Sequence, residues 1–160
     1  MNPHDRSRAP IGADDGATGD PAGPPRRQRV LIVEDQALIA LSLAADLTAM
    51  YCDVVGRAAS GETAVALARR YQPDIVVMDI ALVGGMDGIE AAALIKAECA
   101  PRIIFVTAHA DGPDRPRMEA LKPAAILGKP YHPSELNLAV NLSSRQRVRG
   151  AANLAAGAGD

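Results

Sequence analysis

The segment Val30–Gln36, VLIVEDQ, decides the fold. Four apolar residues run without a polar break and stop at two carboxylates, Glu34 and Asp35. A strand with one wet face alternates apolar and polar side chains. An unbroken run marks a strand covered on both faces, as in parallel sheets. Two further stretches share the pattern: Asp74–Met78, which stops at Asp79, and Arg102–Val106, which stops at Thr107. Val54–Ala58 and Ala124–Leu127 are weaker strand-like runs.

Helix-compatible segments separate these runs: Ala37–Met50, Gly61–Tyr71, Gly88–Glu98, a short one near Arg117–Leu121, and Ser134–Arg147. Ser60 stands where a cap would open the second helix, and Gln72–Pro73 stops it. Ser134 after Pro133 is a start signal for the fifth helix. Strands alternating with helices imply βαβ units with right-handed crossovers. Five such units predict an α/β protein: a doubly wound, five-stranded parallel sheet of flavodoxin-like order 2-1-3-4-5 with five flanking helices.

Residues 1–28 are rich in Gly, Pro, Asp and Arg and offer little to pack, so they read as a disordered arm. Residues 149–160 read as a flexible tail, leaving 29–148 as the folded domain. Of the 160 residues, 48% are hydrophobic but only 2% aromatic, so the core must be aliphatic. The net charge of −2 argues against a protein built to coat nucleic acid or an anionic membrane. Two distant cysteines, Cys52 and Cys99, have neither metal-ligand nor redox spacing. The polar N-terminal stretch has no signal-like apolar region, and no apolar run approaches the ~18 residues needed to cross a bilayer. A cytoplasmic location is the expectation.

In an open parallel sheet, ligands bind beyond the carboxyl ends of the strands, where strand order reverses. For order 2-1-3-4-5 that point lies between the first and third strands. It gathers Glu34, Asp35 and Asp79, with Thr107 and Lys129 at the ends of the fourth and fifth strands. Singly, each has an ordinary explanation: Asp35 as a helix cap, Asp79 as a turn residue, Thr107 as a loop hydroxyl, Lys129 as a solvated charge. Jointly they have a chemical logic. Three close carboxylates repel one another and call for a hard cation, for which Mg²⁺ is the fit. Lysine and threonine can hold phosphoryl oxygens, and one carboxylate can act as nucleophile. The set points to phosphoryl transfer.

The same residues carry a family resemblance. VLIVEDQ (Val30–Gln36), IVVMDIALVGGMDGIEA (Ile75–Ala91), IIFVTAH (Ile103–His109) and ILGKPY (Ile126–Tyr131) resemble the response-regulator receiver family. The resemblance covers about Arg29 to Val148. It implies that Asp79 is phosphorylated, that Glu34 and Asp35 hold Mg²⁺ with Asp79 and the backbone carbonyl of Ala81, and that Thr107 and Lys129 contact the phosphoryl group. It also implies a cis Lys129–Pro130 bond. The phosphodonor would be a histidine kinase or histidine phosphotransfer protein. Alternative phosphate-handling readings fit less well. A haloacid-dehalogenase-type phosphatase needs D-x-D after the first strand, a flavodoxin needs a hydroxyl-rich loop and aromatics, and no phosphate-binding G-x-x-x-x-G-K-[ST] loop is present.

Four features depart from the family pattern. Ile126 stands where receivers usually carry an aromatic residue that swings with the threonine. The loop after Asp79 lacks the common Met–Pro. Pro113, Pro116 and Pro123 hem in the fourth helix. Ala81, two beyond Asp79, is small. With little chain after the fifth helix, the expectation is a stand-alone receiver that signals by protein contact. No direct nucleic-acid or membrane partner is expected, and the basic C-terminal helix offers a possible homodimer contact. The alternatives are a binding module independent of phosphorylation and a phosphate sink in a branched relay. Leu38, Ser42 and Ala45 share one helical face, open to reading as docking surface or as core.

Overall fold

The computed structural model describes residues 26–142. The expected arm (1–28), the end of the fifth helix and the tail lie wholly or partly outside that range. Within it, β1 (Arg29–Val33), β2 (Asp53–Ala58), β3 (Ile75–Met78), β4 (Arg102–Thr107) and β5 (Ala125–Gly128) form one parallel sheet of order β2-β1-β3-β4-β5. Helices α1 (Ala37–Ala49), α2 (Gly61–Tyr71), α3 (Gly88–Cys99) and α4 (Arg115–Ala120) connect the strands. A fifth helix, α5, runs over residues 133–142 of the described chain.

Strand alternation divides the core into two layers. Leu31, Val33, Val76, Met78, Ile103 and Phe105 face α2 and α3. Their neighbours Val30, Ile32, Ile75, Val77, Ile104 and Val106 face α1 and α5. All twelve are buried, which is why β1, β3 and β4 read as continuous apolar runs. No helix among the described residues is long and apolar enough to cross a membrane.

Element ends differ from the sequence expectation by a residue or two. Asp74 is not in β3. Its N–H donates to the Arg29 carbonyl (2.8 Å) and its carboxylate accepts from the Arg29 N–H (2.9 Å), so it ties the lower edge of the sheet. Below it, Arg26 pairs with Asp74 at 3.6 Å, and Gln28 accepts from Asp53 N–H (2.8 Å) and from Arg102 (2.6 Å). Helix α4 starts at Arg115, earlier than expected, because Pro116 sits in its first turn, where a missing N–H costs nothing. Leu121 caps it, and Lys122 (φ 49°) turns the chain toward Pro123.

Two helix starts fix the loops above the sheet. Ser60 accepts from Thr63 N–H at 3.2 Å to cap α2, and Gln72 (φ 47°) ends that helix. Asp87 and Glu90 form a reciprocal capping box on α3: Asp87 accepts from Glu90 N–H (2.8 Å), and Glu90 accepts from Asp87 N–H (2.9 Å). The second Asp87 oxygen accepts from Arg117 of α4 at 2.8 Å. Burial acts to raise the Asp87 pKa, but the bonds from Glu90 N–H and Arg117 outweigh it and hold the carboxyl below its ordinary value. Asp87→Ala is expected to lower stability by about 1 kcal/mol, the usual worth of a cap. Since the folded pKa is depressed, that contribution is full at neutral pH and fades as pH falls through the folded value. Urea melts of both proteins at pH 7 and in strong acid check this, and an unchanged gap in acid would refute it.

Candidate functional site

The carboxyl ends of β1 and β3 adjoin, since Val33 pairs with Met78. The residues that follow, Glu34 and Asp79, therefore emerge side by side, and Asp35 comes next. Backbone bonds pin the strand ends: Asp79 N–H donates to Val33 O (2.9 Å) and Glu34 N–H to Ala58 O (2.9 Å). Glu34, Asp35 and Asp79 each offer a carboxylate oxygen within 4.8 Å of the others. Glu34 and Asp79 are buried, their side chains only 1% and 5% exposed.

Lys129 arrives from the far side of the sheet, at the end of β5. Its N–H donates to the Thr107 carbonyl at 2.8 Å, and the Lys129–Pro130 bond is cis. Its Nζ donates to Glu34 Oε2 (2.7 Å) and Asp79 Oδ2 (2.8 Å), bridging the two buried carboxylates. Burial pushes the Glu34 pKa up, and the Lys129 hydrogen bond only partly offsets it. For Lys129, burial acts downward, but its bonds to Asp79 and Glu34 carry the ammonium above its usual range. The lysine therefore stays charged while it shields the pair.

The other expected site residues are placed as follows. Thr107 ends β4, buried, with Oγ1 accepting from His109 N–H at 3.2 Å. Ala81 is exposed, and its N–H donates to Asp79 Oδ1 at 3.2 Å. Asp35 does not cap α1: Gln36 holds the N-cap position without a side-chain bond, which leaves Asp35 facing the acidic group. Ile126 pairs with Phe105 across β4–β5 and packs into the α2–α3 layer.

Sequence reading missed Gly88. Its N–H donates to Ile80 O at 3.0 Å, and a Cβ there would lie 1.9 Å from the Asp79 carbonyl oxygen. Helix α3 is thus pressed against the backbone of Asp79. The only sequence signal was a glycine just inside a helix start. On α1, the face whose role the sequence left open is solvent-facing: Leu38 is 82% exposed, and Ser42 and Ala45 are exposed. Ala40, Leu43 and Leu47 take the core side instead. Leu38, Ile39, Ser42, Asp46, Lys129 and Tyr131 line a cleft of about 670 Å³ beside the site. Burial, then the Asp46 charge, raises the Tyr131 pKa.

A doubly wound sheet with paired acids at its switch point and a bridging lysine from the last strand defines a phosphoryl-handling α/β module. The response regulator receiver domain family matches residues 30–141, and the chain belongs to that family. It is similar to the transcriptional regulatory protein PdtaR of Mycobacterium tuberculosis, at 38% identity over 116 residues. That match takes in 72% of this chain and 56% of PdtaR, so the chain spans little more than half the length of that relative. It also resembles the chemotaxis protein CheY of Thermotoga maritima, 34% identical over 74% of this chain and 98% of CheY. Among solved structures, the signal receiver domain of a modulated diguanylate cyclase from Desulfovibrio desulfuricans G20 superposes with a TM-score of 0.73. It is 34% identical and covers 78% of this chain and 99% of that one.

Proposed function

We propose that the chain accepts a phosphoryl group on Asp79 from a histidine kinase or histidine phosphotransfer protein, in a Mg²⁺-dependent reaction, and signals by protein–protein contact. One observation carries this reading: Lys129 Nζ joins Asp79 and Glu34 at 2.8 and 2.7 Å, inside a set of three carboxylates. A purely structural ion pair would not need a third acid at the same point.

The donor set suits a hard divalent cation, since it offers only carboxylate oxygens. Glu34, Asp35 and Asp79 would hold Mg²⁺, with the Ala81 carbonyl as a further ligand, and bound Mg²⁺ supplies positive charge for the phosphoryl oxygens. The chain's own residues do the rest. Asp79 attacks phosphorus through a carboxylate oxygen. Lys129 holds a phosphoryl oxygen as a point charge, and the Thr107 hydroxyl donates to another. The protein is a phosphoacceptor and has no other catalytic role. The receiver unit is residues 29–148, and it works in the cytoplasm. The exposed Leu38–Ser42–Ala45 face of α1, beside the site, is the surface for the phosphodonor protein.

Incubation with Mg²⁺ and acetyl phosphate, followed by intact-mass measurement, tests the core of this reading. The expected result is one added phosphoryl mass that is lost in Asp79→Ala. Leu38→Glu with Ala45→Glu should leave that labelling intact while slowing transfer from the phosphodonor protein. Label that persists in Asp79→Ala, or no label at all, would sink the phosphoacceptor reading. The absence of label would instead support a phosphorylation-independent binding module, a reading that Ile126 favours because it occupies the usual aromatic switch position.

A further inference from the structure

Helix α4 hangs on α3 by both of its ends. At its first turn, Arg117 donates to Asp87 Oδ2 in the α3 cap at 2.8 Å, and to Asp114 Oδ1 at 2.8 Å. At its far end, Lys96 in the last turn of α3 donates to the Leu121 carbonyl and, at 3.4 Å, to the Lys122 carbonyl. Its buried side chain, Met118, packs into the α2–α3 layer. A helix of six residues has little stability of its own, so these attachments decide where α4 lies.

The Arg117 attachment adjoins the phosphoacceptor. Gly88, next to Asp87, presses on the Asp79 carbonyl, and its N–H donates to Ile80 O at 3.0 Å. That bond closes the loop Ile80–Asp87 at its neck. The start of the loop answers to Asp79 directly: the Ala81 N–H donates to Asp79 Oδ1 at 3.2 Å, while Oδ2 accepts from Lys129 at 2.8 Å. Phosphorylation turns one of these oxygens into the bridge to phosphorus and the other into a neutral carbonyl oxygen. Whichever one bridges, the Ala81 N–H loses a charged acceptor, and its bond weakens. The loop that ends at Asp87 is therefore held differently in the two states.

A half-exposed ion pair is ordinarily a minor surface contact. This one joins the first turn of α4 to a cap one residue from the closest approach to Asp79. The partner elements also leave α4 a pivot, since Lys96 holds its other end far from the site. Resting on the phosphoacceptor role of Asp79, we propose that α3 relays the state of Asp79 to α4, with the Asp87–Arg117 bridge as the joint. Arg117 is then a positioning residue, and α4 responds to phosphorylation by a route that needs no aromatic side chain at Ile126.

Hydrogen exchange of the full chain tests this, with Mg²⁺ and with or without excess acetyl phosphate. The labelled fraction is read by intact mass from the same samples. In wild type, labelling should change exchange at Gly88–Ala91 and also at Arg117–Leu121, the latter by about threefold, within what an exposed pair supports. Asp87→Asn keeps a capping oxygen for the Glu90 N–H but removes the charge that holds Arg117. In this variant the α3 response should remain and the α4 response should vanish. A merely structural pair would shift the unlabelled exchange of α4 and leave its response to labelling in place. Arg115→Gln is the control, because the bonds of Arg115 to Ala110 O, Asp111 and Glu119 stay within the β4–α4 loop and α4. It should keep the α4 response. An α4 response that survives Asp87→Asn, is lost in Arg115→Gln, or is absent in labelled wild type would overturn the relay while Asp79 stays labelled. So would an α4 response in wild type with none at Gly88–Ala91. Wild type that takes no label would overturn the phosphoacceptor reading itself.

Discussion

Gly88→Ala is expected to destabilise the protein by about 3 kcal/mol or more, at the upper end of what overpacking costs. A Cβ at this position would lie 1.9 Å from the Asp79 carbonyl oxygen, 2.8 Å from the Asp79 carbonyl carbon and 2.8 Å from Ile80 Cα. All three are backbone atoms, so no rotamer change relieves the clash. Either α3 backs away from the sheet, breaking its packing through Ile89, Ala92 and Ile95, or the end of β3 moves. The second route displaces Asp79 from Lys129, so labelling should slow as well. Gly85→Ala is the control, since a Cβ there meets only Glu62 Oε1 at 3.6 Å, an ordinary contact. Urea midpoints for both variants decide the matter. A Gly88→Ala midpoint equal to that of Gly85→Ala would mean that α3 does not press on Asp79.

Lys129→Met should slow acetyl phosphate labelling by about 10²-fold to 10³-fold, the range seen when one charge-stabilising donor is removed from a reacting site. The same change strands two buried carboxylates, because Lys129 is the cation bonded to both Glu34 and Asp79. Breaking a buried pair from one side costs up to about 3–5 kcal/mol, and the 18% exposure of Lys129 puts this case toward the lower end. The pH dependence has a definite sign. Burial holds the Glu34 pKa above its ordinary value even with Lys129 present, so its charged form is the costly one. Stability lost in the variant is therefore largest at neutral pH and returns as pH falls through the folded-state Glu34 pKa. Urea melts at neutral and mildly acid pH should show the gap closing, and a gap that widens in acid would contradict this account.

The sheet and the acidic site were largely legible in the sequence, and for one reason. β1, β3 and β4 are covered on both faces, so their apolar runs are unbroken and each run ends at a buried polar residue of the site: Glu34, Asp79 and, after Val106, Thr107. The edge strands were harder. β2 is half-buried, and its register with β1 shifts between Val30 and Leu31, so no clean period survives. Helix α1 is apolar on both sides, with Leu38 and Leu41 outside and Leu43 and Leu47 inside, so spacing alone did not orient it. Gly88 was illegible for a different reason: it matters through the close approach of α3 to the backbone of Asp79 and Ile80 across the intervening loop, and a glycine at a helix start carries no trace of that contact.

The near absence of aromatic side chains has an optical consequence. With no tryptophan and three tyrosines, the protein has little intrinsic near-ultraviolet signal. Tyr51 is 75% exposed at the end of α1, and Tyr71 lies near Gly56 on the edge strand. Tyr131 shares a cleft with Lys129. A change in tyrosine emission that is seen when the site is occupied and is lost in Tyr131→Phe would be a built-in gauge of the lysine's surroundings that requires no added dye.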